Sequence, residues 1–117
     1  MALKVKPGVT FTFAPAGFRI LEALKRVSGE LGVDLTITSG SDGVHSGPKD
    51  PHKLGEAYDI RSKDLSPANK TALVDRLRVH LGSQFFVFLE VPGTDNEHVH
   101  AQRRKNTLYT ILDYLKA

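Results

Sequence analysis

The segment from Ser39 to Gly55 is the feature that most limits how this chain can fold. Glycines and prolines recur through it, and its few apolar residues follow no helix or strand period, so it predicts a loop. Loops of this length are uncommon in small domains and are usually functional or disordered. The segment is not of low complexity, and it carries His45 and His52. We therefore expect a functional loop.

The elements on either side of this loop predict an α+β domain. Apolar residues recur at three- and four-residue steps from Phe18 to Leu31, which indicates an amphipathic helix. Further helices are expected over 67–81 and 108–115, and strands over 9–13, 33–38, 57–61, 85–91 and 99–102. The order β-α-β-loop-β-α-β-β-α predicts one domain over residues 1–117, with a small mixed or antiparallel sheet flanked by helices.

Composition limits the chemistry and the partners. The chain has no cysteine, so any metal must be held by histidine or carboxylate side chains. The net charge of +3 is only mildly basic, and nucleic-acid-binding proteins usually show a sharper cluster of basic residues, so no specific nucleic-acid partner is predicted. No apolar run is long enough to span a membrane, and no secretory signal peptide is recognisable. We expect a protein made in the cytoplasm without a membrane span; its oligomeric state is left open.

The spacing of histidines and carboxylates suggests a metal site. His98 and His100 are two residues apart in a predicted strand, so both lie on one face. His52 and Asp59 can converge only if Gly55 lets the chain bend. Two histidines and a carboxylate suit zinc and leave a position for water. Spacing alone also allows the alternative that these are ordinary surface histidines in polar loops.

Three segments together resemble a known family. They are Ser39-Gly40, HKLGEAYD at 52–59 and EHVH at 97–100, and the resemblance runs from about Val33 to Gln102. The chain is similar here to the zinc D-Ala-D-Ala carboxypeptidase-like peptidases, which share their fold with the hedgehog signalling domain. The family includes cell-wall carboxypeptidases, D,D-dipeptidases and phage endolysins. The resemblance implies a hedgehog/DD-peptidase-like fold for this chain.

The resemblance also implies roles for individual residues. It makes His52, Asp59 and His100 the zinc ligands, because they match the family's motif positions. It makes Glu97 the general base, with His98 as the second candidate. Straight strand geometry favours His98, since Glu97 would point to the opposite face unless the preceding residues bend the chain.

Two departures from the family's pattern bear on specificity. The family usually has an arginine after the first Ser-Gly, and Asp42 stands at that position. Asp50 replaces the usual serine two residues before the first ligand, where it could orient a ligand histidine. The missing arginine puts carboxypeptidase specificity in doubt more than endopeptidase activity. His45 and Arg61 are candidate substrate contacts, against the alternatives of an exposed loop histidine and a structural ion pair.

The resemblance therefore implies a zinc-dependent peptidase that hydrolyses peptide bonds containing D-amino acids in the peptide stems of bacterial peptidoglycan. A phage or prophage origin would suit a small basic chain, which would act at the cell wall when released by lysis or carried by a virion. The alternative is a non-catalytic zinc-binding module of the same fold, with a structural or binding role in a virion.

Overall fold

A five-stranded mixed sheet forms the framework of the protein. The computed structural model describes residues 2–43 and 45–117, and Met1 and Val44 lie outside the described residues. The strand order in the sheet is β1-β2-β3-β5-β4, with β1 parallel to β2 and the other neighbours antiparallel. The predicted α+β class with a mixed sheet is confirmed. The strands are β1 Leu3–Val5, β2 Leu35–Ser39, β3 Ala57–Arg61, β4 Phe85–Glu90 and β5 His98–Arg103.

Three helices accompany the sheet: α1 Pro15–Leu31, α2 Pro67–Leu81 and α3 Ile111–Lys116. Proline stands in the first turn of α1 and of α2, where its missing N–H costs no hydrogen bond. Helix α2 is capped by Ser66, whose side chain accepts the Asn69 N–H. The predicted helices are confirmed, and none in the described part of the chain is long and apolar enough to cross a membrane.

The core lies between helices α1 and α2 and one face of the sheet. Alternate strand residues point to this face because side chains in a strand alternate between its two sides. Each of the apolar side chains at the centre is almost fully buried, so their removal from water supplies most of the driving force for folding. They include Ile20, Leu24, Val27, Ile37, Tyr58, Ile60, Leu73, Leu77, Val87 and Val99. The opposite face of the sheet carries the polar side chains described below, together with Phe86 and Phe88 of β4; we call it the polar face.

The predicted strand over Val9–Phe13 is wrong. The edge beside β2 is taken by Leu3–Val5, and residues 9–13 pair with no strand of the sheet. They run extended against the long loop instead. The Thr10 carbonyl oxygen accepts the Ser41 N–H at 2.8 Å, and the Thr10 N–H donates to Asp42 Oδ1 at 3.2 Å. We call residues 9–13 the amino-terminal strap.

A second contact fixes the far end of the loop. The Arg103 guanidinium at the end of β5 donates two hydrogen bonds to the Glu56 carboxylate, at 2.8 and 2.9 Å. Both side chains are largely shielded from solvent, at 16% and 13% exposed. A two-point arginine–carboxylate pair has a defined geometry, so it holds the chain in place just before β3 begins.

Candidate metal centre

The polar face of the sheet brings two rows of functional side chains together. Asp59 on β3 lies opposite His100 on β5, and Arg61 lies opposite His98. On the other side of β5, Glu90 of β4 pairs with His98. Cross-strand partners in an antiparallel pair share a face and have Cβ atoms about 5 Å apart. The sheet register therefore places both histidines beside Asp59.

The loop supplies His52 from above this face. Gly55 has φ +75°, a left-handed conformation that glycine adopts easily, and it turns the chain between His52 and Asp59. A side chain at Gly55 would also overlap the Thr12 carbonyl oxygen of the amino-terminal strap. The expected bend at Gly55 is thus present, and it lets the loop residue reach the strand residue.

His52, Asp59 and His100 form a group that could hold a metal ion. Asp59 Oδ1 lies 2.8 Å from His100 Nδ1 and 3.3 Å from His52 Nε2. The three candidate ligand atoms all lie within 4.8 Å of one another. His52 is 5% exposed and His100 is 7% exposed, so the group is largely shielded from bulk water.

Hydrogen bonds on the outer side of each ring decide which nitrogen faces Asp59. His52 Nδ1–H donates to the Gly40 carbonyl oxygen at 3.0 Å, and His100 Nε2–H donates to Gln102 Oε1 at 2.7 Å. The Gln102 amide is oriented by its own Nε2–H, which donates to the Arg103 carbonyl oxygen at 3.2 Å. Metal-binding histidines almost always have an acceptor of this kind on the second nitrogen.

These outer bonds leave two nitrogen lone pairs and a carboxylate oxygen pointing at one another. In their neutral forms, His52 Nε2, His100 Nδ1 and Asp59 Oδ1 all carry electron pairs on the inner side of the group. Such atoms repel at 2.8–3.3 Å unless a cation lies among them. A proton can satisfy one pair of these atoms, whereas a metal ion satisfies all three at once.

With protons rather than a metal ion between these atoms, the ring nitrogens donate hydrogen bonds to Asp59, and these bonds set the charges of the group. Burial raises the pKa of the Asp59 carboxyl, but hydrogen bonds from His100 and His52 outweigh burial and hold that pKa well below its usual range. Burial lowers the pKa of His100, but its hydrogen bonds with Asp59 and Gln102 outweigh burial and raise the pKa overall. Asp59 is therefore a carboxylate at neutral pH, ready to bind a cation.

A second group, missed by the sequence analysis, lies beside the first and shares Asp59. His98 Nε2 is 3.4 Å from Glu90 Oε1 and 3.7 Å from Asp59 Oδ1. His98 Nδ1–H donates to the Asn96 carbonyl oxygen at 2.7 Å, which turns Nε2 towards the carboxylates. Glu90 could have been found only by aligning β4 with β5 residue by residue, because nothing near it in sequence marks it.

Glu97, the expected base, does not join either group. Its carboxylate accepts hydrogen bonds from Lys70 Nζ at 2.9–3.1 Å, from Ser62 Oγ at 2.8 Å and from the Gly93 N–H at 3.1 Å. The Lys70 hydrogen bond is the largest reason that the pKa of Glu97 falls to about 2. Glu97 precedes β5 and ties it to helix α2, whereas His98, the second candidate for the base, faces Asp59.

The remaining predicted residues take distinct places. The His45 ring stacks on the His52 ring, with centroids 4.1 Å apart and planes 3° from parallel. Arg61 lies on the polar face and lines a cavity next to His98. Asp50 accepts the His52 backbone N–H rather than its ring, so the expected role in orienting the ring belongs to the Gly40 carbonyl.

Asp42, which stands where the family that the sequence resembles has arginine, holds two segments of the backbone together. Its Oδ1 accepts the Gly40 N–H at 2.8 Å and the Thr10 N–H at 3.2 Å. Burial raises the pKa of Asp42, but these hydrogen bonds outweigh it and lower the pKa overall. Asp42 thereby fixes Gly40, whose carbonyl orients His52, and it joins the loop to the amino-terminal strap.

The fold and the site together define an α+β domain with a buried group of two histidines and an aspartate that could hold a metal ion. Comparison of the chain with protein-family models, with curated proteins and with solved structures gave no match in any of the three.

Proposed function

We propose that the protein is a zinc-dependent peptidase that hydrolyses peptide bonds in the peptide stems of bacterial peptidoglycan. The observation that carries the proposal is the convergence of His52 Nε2, His100 Nδ1 and Asp59 Oδ1, with both histidine rings oriented by hydrogen bonds outside the group. Two histidines and one carboxylate form the usual protein ligand set of a hydrolytic zinc site with an open position. The sequence resemblance supports the choice of reaction and of substrate.

When bound, zinc would supply Lewis acidity to an amide carbonyl and make a neighbouring water more acidic. The chain's own contribution begins with His98. Its Nε2 faces the metal-binding group, where it can accept a proton from water and later return one to the leaving amine. Glu90 Oε1, 3.4 Å away, would stabilise the protonated imidazole. Glu97 suits this role less well, since a carboxylate of pKa about 2 is a weak base.

The non-catalytic zinc-binding module is the second candidate. The observation that favours it is the role of Asp42, which is committed to backbone hydrogen bonds where the related peptidases have a substrate-binding arginine. In that case zinc would stabilise the loop that carries His52, and the domain would serve as a structural or binding part of a virion. Delivery to the cell wall, by lysis or by a virion, would be shared by both candidates.

Metal content tests the first part of the proposal. Purified protein equilibrated with zinc and then desalted should retain about one zinc per chain by elemental analysis. His52→Ala should lose most of it, whereas His80→Ala should retain it, because His80 pairs with Glu30 on the helical side of the molecule. Absence of zinc from the wild type would contradict both candidate functions.

Cleavage of purified muropeptides separates the two candidates. The zinc-loaded wild type should release peptide products, and His98→Ala should slow their release roughly 100-fold or more. Glu97→Gln should cleave at close to the wild-type rate at pH 7, where both are folded. Zinc-loaded wild type that cleaves no wall peptide would favour the binding module. Loss of cleavage in Glu97→Gln, with the fold intact, would restore Glu97 as the base.

A further inference from the structure

A cavity of about 520 Å³ opens beside the metal-binding group, at the end of the polar face marked by Arg61. Its lining includes His98, whose Nε2 lies 3.7 Å from Asp59 Oδ1, so the cavity adjoins the metal-binding group. Three cationic side chains line it: Lys6 follows β1, and Arg61 and Lys63 lie at and just after the end of β3.

Backbone contacts in and beside the sheet bring these cations to the cavity. Arg61 lies opposite His98 in the β3–β5 register. The Lys6 N–H donates to the Ile37 carbonyl oxygen at 2.9 Å, which carries the chain beyond β1 alongside β2. Lys63 follows Ser62, whose side chain is bonded to Glu97. The three side chains are thus brought to one cavity by backbone that is held in place.

The charge of the cavity is positive. Among residues 2–43 and 45–117, no salt bridge joins Lys6, Arg61 or Lys63 to a carboxylate, whereas Lys4, Lys70 and Arg103 each have one. Glu97 also lines the cavity, but its charge is offset by Lys70. Asp95 is the remaining acidic group in the lining, and it is exposed. Three cations against one exposed carboxylate favour an anionic ligand.

The distance to the metal-binding group limits which anion fits. Arg61 is two residues beyond Asp59 on the same face, a separation of about 7 Å in a strand. One residue of extended peptide spans about 3.5 Å. An anionic group held by Arg61 therefore lies about one or two residues from an amide placed at Asp59.

We infer that this cavity binds a carboxylate of the peptide substrate, one or two residues to the carboxyl side of the scissile bond, and that Arg61 with Lys6 and Lys63 holds that carboxylate. The inference rests on the proposed peptidase function. The carboxylate is either the terminal one, as in carboxypeptidase or dipeptidase action, or that of an acidic side chain. A guanidinium can bind either carboxylate through two hydrogen bonds.

Three probe peptides distinguish these sources. The first is Nα-acetyl-L-lysyl-D-alanyl-D-alanine with a free carboxyl terminus, the second is its carboxyl-terminal amide, and the third is the amide with D-glutamate as last residue. In each, a methylene group replaces the nitrogen of the last peptide bond, so that the peptide cannot be cleaved. Their dissociation constants for the zinc-loaded protein are measured by calorimetry.

Two double variants are compared. The first pair of substitutions is Arg61→Gln with Lys63→Gln, and the control pair is Lys25→Gln with Lys105→Gln. Both pairs remove two positive charges, but Lys25 and Lys105 are exposed and lie outside the cavity lining. The first pair should weaken binding of the free-acid probe roughly tenfold to hundredfold, as expected for loss of hydrogen bonds to a charged group. The control variant should change binding of the free-acid probe less than about twofold. The carboxyl-terminal amide should bind the wild type about as weakly as the free-acid probe binds the variant with Arg61→Gln and Lys63→Gln.

The outcomes separate this inference from the proposed function. Equal binding of the free acid and both amides to the wild type would overturn it, even if the protein holds zinc and cleaves peptides. Tighter binding of inorganic phosphate than of any probe would also overturn it. If the D-glutamate amide binds as tightly as the free acid, the carboxylate site stands and accepts side chains. Arg61-dependent binding of the free acid without cleavage by the wild type would support the cavity and contradict the peptidase.

Discussion

Asp59 and His100 lie directly opposite each other on β3 and β5, and Asp59 Oδ1 is 2.8 Å from His100 Nδ1. This pair belongs to the regular sheet, so its geometry is set by backbone hydrogen bonds rather than by a loop. His52 then completes the group from the loop at 3.3 Å from the same oxygen. The sheet therefore positions two of the three candidate ligands, and the loop supplies the third.

Gln102 should control metal affinity without binding metal. Its Oε1 accepts His100 Nε2–H and so keeps the Nδ1 lone pair directed at Asp59. We expect Gln102→Leu to weaken zinc affinity about 10- to 100-fold, the usual effect of losing such a partner. Competition with a chelator of known affinity measures the change. Gln84→Leu is the control, since the Gln84 side chain bonds only the Leu108 carbonyl oxygen in the described part of the chain. Equal affinities in the two variants would contradict the prediction.

Glu97 should stabilise the protein in a pH-dependent way. Its pKa is about 2 in the folded protein, against an ordinary value of 4.5, chiefly because Lys70 donates a hydrogen bond to it. A lowered pKa stabilises the folded state fully above pH 4.5, and that contribution is lost as the pH falls from 4.5 towards 2. Glu97→Gln should therefore be less stable than the wild type at pH 7, with a difference that shrinks below pH 4.5.

Urea unfolding followed by circular dichroism from pH 3 to pH 7 measures this difference. Asp64→Asn serves as the control, because Asp64 is an exposed carboxylate just after β3. A Glu97→Gln curve that runs parallel to the wild type across the whole range would show that the carboxylate contributes nothing through its charge.

Gly55 should be needed for the bend that joins His52 to Asp59. Gly55→Ala places a side chain at φ +75° and against the Thr12 carbonyl oxygen, so we expect about 2–3 kcal/mol loss of unfolding free energy and lower zinc affinity. Gly29→Ala is the matched change in helix α1, where nothing lies within 4 Å of the new atom. It should stabilise the protein by about 0.5–1 kcal/mol. Equal effects of both changes would contradict the argument.

Arg103 should hold the end of the loop through Glu56. Removing one partner of a largely buried ion pair leaves the other charge without compensation, so Arg103→Leu should cost about 3 kcal/mol of unfolding free energy. Adding Glu56→Leu should restore part of that loss, because the isolated carboxylate is then removed. Chemical denaturation of the single and double variants measures the coupling, and strictly additive losses would exclude it.

The sequence predicts the fold well where one periodicity dominates. Helices α1 and α2 follow from their apolar spacing and their initial prolines, and β3 was predicted with its observed bounds. The strand predicted over the amino-terminal strap is wrong because β-branched and aromatic residues indicate only an extended, partly buried chain. Such a chain need not join a sheet. Strand β1 is only three residues long, too short for an alternating pattern to show.

The candidate site was predictable only in part, for a related reason. The spacing of His98 and His100 places both on one face, and strand alternation already favoured His98 over Glu97 as the residue beside Asp59. Glu90 could not be predicted, because its pairing with His98 depends on the register between β4 and β5. Cross-strand register is a property of the whole sheet and leaves no local mark in the sequence.

The amino-terminal strap has a practical consequence for anyone who handles this protein. Thr10 is hydrogen-bonded to Ser41, and the Thr12 carbonyl oxygen lies close to Gly55. These contacts lie near the two ends of the loop that carries His52. Truncations, affinity tags or fusion partners that displace residues 9–13 would loosen a ligand some forty positions away along the chain.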